Sequence, residues 1–136
     1  MIAVSACLLG INCTYEGKNN ATKKAIDLFK KGKAVPICPE QLGGLTTPRS
    51  PAEIIGDKVI TKDGEDVTAQ YEKGAKEGLK IAILAGCEKA ILKSCSPSCG
   101  SEIIHDGSFS EKLVNGDGIF AKLLKENGIE VVTEEE

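Results

Sequence analysis

The stretch "KAVPICPE", residues 33–40, sets the architecture. Ala34, Val35, Pro36 and Ile37 read as a strand, and Pro36 has no N–H to give to a ladder, so the strand belongs at a sheet edge. Cys38 and Glu40 follow at once, in the loop that leaves the strand.

Toward the amino terminus, residues 2–6, "IAVSA", form another β-rich run. Asn20 offers an N-cap for a helix over 21–31 with Ala25, Ile26 and Phe29 on one face, stopped by Gly32. On the other side, "PEQLGGLTTPRSPA", residues 39–52, is rich in Pro, Gly and Thr and is expected to be an ordered loop with no element of its own. Residues 53–55 and 58–61 then suit a hairpin turning at Gly56 and Asp57. The longest helix is expected over 67–86. Val67, Tyr71, Ala75, Leu79, Ala82, Ile83 and Gly86 recur at helical spacing, and Gly74 and Gly78 allow close packing.

A third core strand spans 89–92. A second hairpin is expected over 102–110 with its turn at Asp106 and Gly107, and Asp117 is expected to cap a helix bearing Ile119, Phe120, Leu123 and Leu124. Asn127 and Gly128 end that helix before a last strand, 129–133. The order β-α-β-hairpin-α-β-α-β predicts an α/β fold with a mainly parallel sheet of about four strands, covered by helices on both faces and carrying small β-hairpin insertions. With Pro36 at an edge, the strand order is 2-1-3-4.

The chain has 136 residues and suits one domain, 1–136. Its 17 Lys and Arg face 20 Asp and Glu for a net charge of −3, with no cationic cluster on one element, which argues against a nucleic-acid face. "MIAVSACLLGI" has no basic residue before its apolar run and is too short to span a bilayer, so it reads as a buried strand and not as a membrane or export segment. The expected setting is the cytoplasm, where six reduced cysteines point to metal or thiol chemistry. The triplet Glu134–Glu136 reads as a solvated end, and His105 as a surface residue beside a turn.

A parallel sheet divides the cysteines. Cys7 and Cys13 follow the first strand, Cys38 the second, and Cys95 and Cys99 the third, so all five gather at the carboxyl end, at the switch point between strands one and three where open α/β sheets bind ligands. Cys87 follows a helix, falls at the other end and reads as a small buried hydrophobe. Spacings of Cys7-x5-Cys13 and Cys95-x3-Cys99 lack the C-x2-C knuckles of a zinc ribbon. A phosphatase-like C-x5-R cradle fails because position 13 is Cys. Iron-sulfur ligation by three or four of the five thiolates is the reading left by the residues alone, with Glu40 and Ser96 close by in sequence and the Glu40 carboxylate suited to acid–base work.

Three motifs in order, "SACLLGINCTYEGKNN", "ICPEQLGGLTTPR" and "LKSCSPSCGSEIIHDGSFS", with the closing "GDGIFAKLLKENGIEV", resemble the thiouracil desulfidase family. The resemblance implies a Rossmann-like three-layer α/β domain that binds a 4Fe-4S cluster through only three cysteines, Cys7, Cys38 and Cys99. It implies Glu40 and Ser96 as catalytic residues. Cys13 and Cys95 are further thiols to which it gives no role.

The activity so implied is the non-redox, hydrolytic conversion of a thiolated nucleobase, 2- or 4-thiouracil or a nucleoside, to its oxo form with hydrosulfide released at the open iron. The partner is therefore a small molecule; the chain leaves its oligomeric state open. The competing class is a non-enzymatic iron-sulfur or zinc-binding sensor using the same cysteines, with Cys13 or Cys95 as fourth ligand. A metal-free thiol redox enzyme is a third. Arg49 and the loop "YEGKNN" suit the substrate border and a plain turn equally, and stay outside the candidate site.

Overall fold

The computed structural model describes residues 1–136. Its elements run β1 (Ile2–Ser5), a 3-10 turn (Ala6–Leu9), α1 (Lys23–Lys30), β2 (Ala34–Ile37), α2 (Pro39–Leu42), β3 (Ala52–Ile55), β4 (Lys58–Thr61), α3 (Thr68–Leu84), β5 (Lys89–Leu92), β6 (Ile103–His105), β7 (Leu113–Asn115), α4 (Ile119–Glu126) and β8 (Glu130–Thr133). Four parallel strands form the main sheet in the order β2-β1-β5-β8, the expected 2-1-3-4. β2 pairs with β1 alone, with Val4 opposite Pro36, so the proline lies on the edge strand, where a missing donor is tolerated. β3–β4 and β6–β7 are separate antiparallel hairpins.

Successive side chains of a strand point to opposite faces, and this makes two cores. Ala3, Ala90 and Leu92 face α3 and α4, packing with Ala75, Ala82, Phe120 and Leu124. Val4 and Ile91 face the other way, onto Leu8 and Ala25 of the 3-10 turn and α1. Helices thus cover both faces, and the chain is a Rossmann-like α/β sandwich.

Two glycines bring a loop into place. A Cβ on Gly74 would lie 1.8 Å from the Pro39 carbonyl oxygen, and one on Gly43 would lie 1.9 Å from that of Gln70. No side chain fits at either position, so α2 rests backbone to backbone on α3. Gly78 does the same work for the core, since a Cβ there would sit 2.8 Å from the Phe120 ring.

Several boundaries differ from the expectations. α1 starts at Lys23 with Thr22, not Asn20, as its cap: the Thr22 hydroxyl accepts from Ala25 N, and Asn20 lies outside the helix with its backbone N–H donated to the Cys7 carbonyl. Its inner face carries Ala25 and Leu28, and Phe29 is exposed. The segment expected to be loop from 39 opens with the short helix α2, because Pro39 at the first helical position presets φ and forgoes only an N–H that a helix start leaves unbonded. Ile83 turns to solvent at the end of α3. The second hairpin has a seven-residue connection, 106–112, which moves its return strand to Leu113–Asn115. Gly118 caps α4; the Asp117 carboxylate instead accepts from Glu102 N at 2.8 Å and pairs with Lys125.

No helix is long and apolar enough to cross a membrane.

Candidate active site

A cleft of about 720 Å³ opens at the carboxyl end of the main sheet, and Cys7, Cys13, Cys38, Cys95 and Cys99 all line it. Each arrives by a different local device. Cys7 sits in the 3-10 turn that ends β1, and Cys38 is the N-cap of α2 directly after β2. Cys95 and Cys99 belong to the loop after β5. Cys95 adopts φ +64, which turns the chain back so that Cys99 is buried against β1. Cys87 is buried in the α3–α4 core and takes no part.

All six thiols are free. Cys13, almost fully buried, lies beside both Cys38 and Cys7, and the proximity of their sulfurs keeps its own proton held strongly. The same contact lowers the other two. Cys38 comes down to about 7, with the Gln41 amide at the start of α2 adding to the effect, and Cys7 is likewise lowered. Burial pushes Cys99 up to about 12, offset in part by the Ser5 hydroxyl.

No three His, Cys, Asp or Glu side chains converge closely enough to hold a single metal ion. A mononuclear zinc site needs its sulfurs about 2.3 Å from one point, whereas a polynuclear iron-sulfur group takes thiolates spread around its periphery. Thiols from three strand ends line one cleft and have the soft donor chemistry that such a group takes.

Glu40, in the first turn of α2, lies in the same cleft. Its Oε1 accepts from Arg49 Nε at 3.0 Å and its Oε2 from the Ser98 hydroxyl at 2.8 Å. The ion pair is well shielded, with side chains 8% exposed for Arg49 and 14% for Glu40. Tyr71 lies beside it, its phenol pKa raised by burial and by the carboxylate.

Ser96 does not touch Glu40 directly. Its oxygen accepts from Ser98 N at 3.1 Å and Cys99 N at 2.8 Å, and lies 3.0 Å from the Ser98 oxygen. Ser98 has one hydroxyl proton, and it is given to Glu40, so the Ser96 hydroxyl donates to Ser98. The result is a directed chain from Ser96 through Ser98 to Glu40, with the Ser98 oxygen also 3.6 Å from Cys99 Sγ.

Sequence reasoning did not single out Ser98, and it left Arg49 aside. Arg49 is the hub of three loops: beyond Glu40 it donates to the Cys13 carbonyl at 2.8 Å and to Thr46 and Thr47, and its own amide bonds to the Tyr15 carbonyl. An arginine in a "TPR" turn carries no local mark of such reach; its burial is the signal, and that is a tertiary property. Likewise Glu134 is not a solvated end. Its carboxylate takes the Ser94 amide at 2.9 and 3.0 Å and Lys93 Nζ at 3.3 Å, while Glu135 takes the Ser94 hydroxyl, fastening the loop that carries Cys95 and Cys99. His105 lines the cleft and is half buried, with its Nδ1 enclosed and without a hydrogen-bond partner.

Three comparisons with known proteins agree. Residues 2–136 match the family model described as 2-thiouracil desulfurase. The uncharacterized protein YbbK of Bacillus subtilis (strain 168) is 47% identical over 146 aligned positions, spanning 100% of this chain and 97% of that one. A solved structure, the 4Fe-4S-dependent thiouracil desulfidase TudS, superposes with a TM-score of 0.94 at 42% identity, covering 98% of this chain and 90% of that chain.

Proposed function

Because this chain belongs to the 2-thiouracil desulfurase family, we infer that it is a 4Fe-4S-dependent thiouracil desulfidase, replacing the sulfur of a thiolated nucleobase with oxygen from water. The observation that carries the reading is the meeting of the Cys7, Cys38 and Cys99 thiols with the Glu40–Arg49 pair in one cleft. We assign Cys7, Cys38 and Cys99 as the cluster ligands and Glu40 and Ser96 as the catalytic residues, and take residues 1–136 as one catalytic unit. When bound, the cluster supplies a Lewis-acidic iron to which a soft thiocarbonyl sulfur can coordinate.

The chain's own groups handle water and protons. Arg49 and Ser98 fix the plane of the Glu40 carboxylate, each occupying one lone pair and leaving others free for a water molecule. Glu40 takes a proton from the water that adds to the thiocarbonyl carbon, and Arg49 balances the carboxylate charge in the shielded cleft. Once Glu40 is protonated the two serine hydroxyls turn over, and the chain, then running from Glu40 through Ser98 to Ser96, offers a path by which the proton returns toward the departing sulfur. Overall, thiocarbonyl and water become carbonyl and hydrogen sulfide, so no electron acceptor or donor is consumed.

Six free cysteines fit the reducing cytoplasm as the place of work. The substrate is a small thiolated base, and the free base or nucleoside of 2- or 4-thiouracil suits a cleft of this size.

Isotope labelling tests the reaction. Anaerobic protein with 4-thiouracil in oxygen-18 water and no reductant is expected to give hydrosulfide and uracil in equal amounts, with the new carbonyl carrying the label. Unlabelled product, or a need for added reductant, contradicts hydrolysis. Binding without sulfide release is the sensor outcome.

A further inference from the structure

We propose that Phe109 is the platform on which the flat ring of the substrate stacks, a role that rests on the desulfidase reading above and adds the feature that recognises the ring itself. Residues of the two hairpins line part of the cleft, and Phe109 lies in the connection of the second, half buried and lining the cleft.

The chain has three Phe, two Tyr and no Trp. Phe120 is in the core, Tyr71 is buried beside Glu40, and Phe29 is on the outer side of α1. Only Tyr15 and Phe109 remain at the cleft, and Tyr15 is 44% exposed. Phe109 is the one that the fold holds in place.

Three observations show the holding. Phe109 adopts φ +57, a left-handed conformation uncommon for a bulky side chain. Glu53, 9% exposed, turns its Oε1 to the amides of Gly107 at 2.9 Å and Phe109 at 3.1 Å, so a largely buried carboxylate is committed to fixing this turn. Gly107 also packs so closely that a Cβ there would lie 2.9 Å from the Ile54 carbonyl oxygen, seating the loop on β3. Of the four non-glycine residues with positive φ, Cys95, Phe109 and Glu111 line the cleft. Unusual backbone is concentrated where the ligand goes.

A pyrimidine thione presents a polar, sulfur-bearing edge and two apolar faces. The thiols and Glu40 provide for the edge, and a rigid aromatic ring provides for a face by stacking and area burial. Stacking ignores where the sulfur sits, so Phe109 reads the ring and is indifferent to the 2- or 4-position.

The test is steady-state kinetics of anaerobic wild type, Phe109→Ala and Phe109→Tyr at matched iron content, on 2-thiouracil and 4-thiouracil, with uracil as competitive inhibitor. Phe109→Ala is expected to raise KM about tenfold for both substrates and the uracil inhibition constant by the same factor, with kcat within about twofold; Phe109→Tyr restores all three. Phe109→Leu, which refills the apolar space without a π face, separates packing from stacking and is expected to follow Ala. An active wild type whose KM and uracil inhibition are unmoved in Phe109→Ala overturns the platform alone. A Leu variant that behaves as wild type also overturns it. A wild type silent on both thiouracils overturns the platform and the desulfidase reading together.

Discussion

Replacing Cys7, Cys38 or Cys99 singly by Ala is expected to abolish both cluster binding and turnover, taking iron from about four per chain toward zero after anaerobic reconstitution. The three thiols come from the ends of β1, β2 and β5, and a cluster held at three points has no protein ligand to spare. The controls carry as much weight as the losses. Cys87→Ala, in the α3–α4 core, is expected to keep full iron and activity at a cost of about 1 kcal/mol in stability. Cys13→Ala and Cys95→Ala are expected to keep the cluster, because the assigned site uses only three cysteines. Iron and acid-labile sulfide analysis with the visible absorption spectrum reads each variant directly, and full iron in Cys99→Ala contradicts the assignment.

Glu40→Gln is expected to lower kcat by about 10²- to 10⁴-fold while leaving iron content and KM nearly unchanged. The amide keeps the shape and can still accept from Arg49, but it cannot take a proton from water. Removing one partner of a buried ion pair costs stability, about 3–5 kcal/mol when the survivor is left bare, so thermal unfolding is measured on the same sample. Ser96→Ala provides a check that leaves the charges alone. It removes the donor to Ser98 and is expected to lose most turnover with the cluster intact, whereas full activity in both variants contradicts the catalytic roles of Glu40 and Ser96.

The sheet was legible because its signals are local. Pro36 marks an edge, and parallel strands joined by helices admit few orders, so the gathering of five cysteines at one end followed from connectivity alone. Glu40 and Ser96 stand out by their closeness in sequence to Cys38 and Cys99, their catalytic roles rest on the family resemblance, and no local signal shows which other groups touch them. Ser98 meets Glu40 across 58 positions, and Arg49 meets Cys13 across 36. Such contacts exist only after the loops pack.

Other misses have the same cause. Proline reads as a breaker in a segment rich in glycine, yet at the first position of α2 it begins a helix, and the Gly43 and Gly74 contacts that hold that turn on α3 are tertiary. Glu134 looked solvated because charged residues at a chain end usually are; β8 lies beside β5, which brings its carboxylate to the Ser94 amide. Phe109 stood inside a segment expected to form the second hairpin, and nothing nearby announces that Glu53 reaches over to hold it.

Cluster-dependent desulfuration is tested by titrating anaerobic protein with iron and sulfide and measuring hydrosulfide release from 2- and 4-thiouracil at each level of loading. Turnover rising in proportion to cluster content, with both reaching their maximum at about four iron and four sulfide per chain, is the result expected. Zinc in place of iron, or a fully loaded cluster that releases no sulfide from either thiouracil, would contradict it.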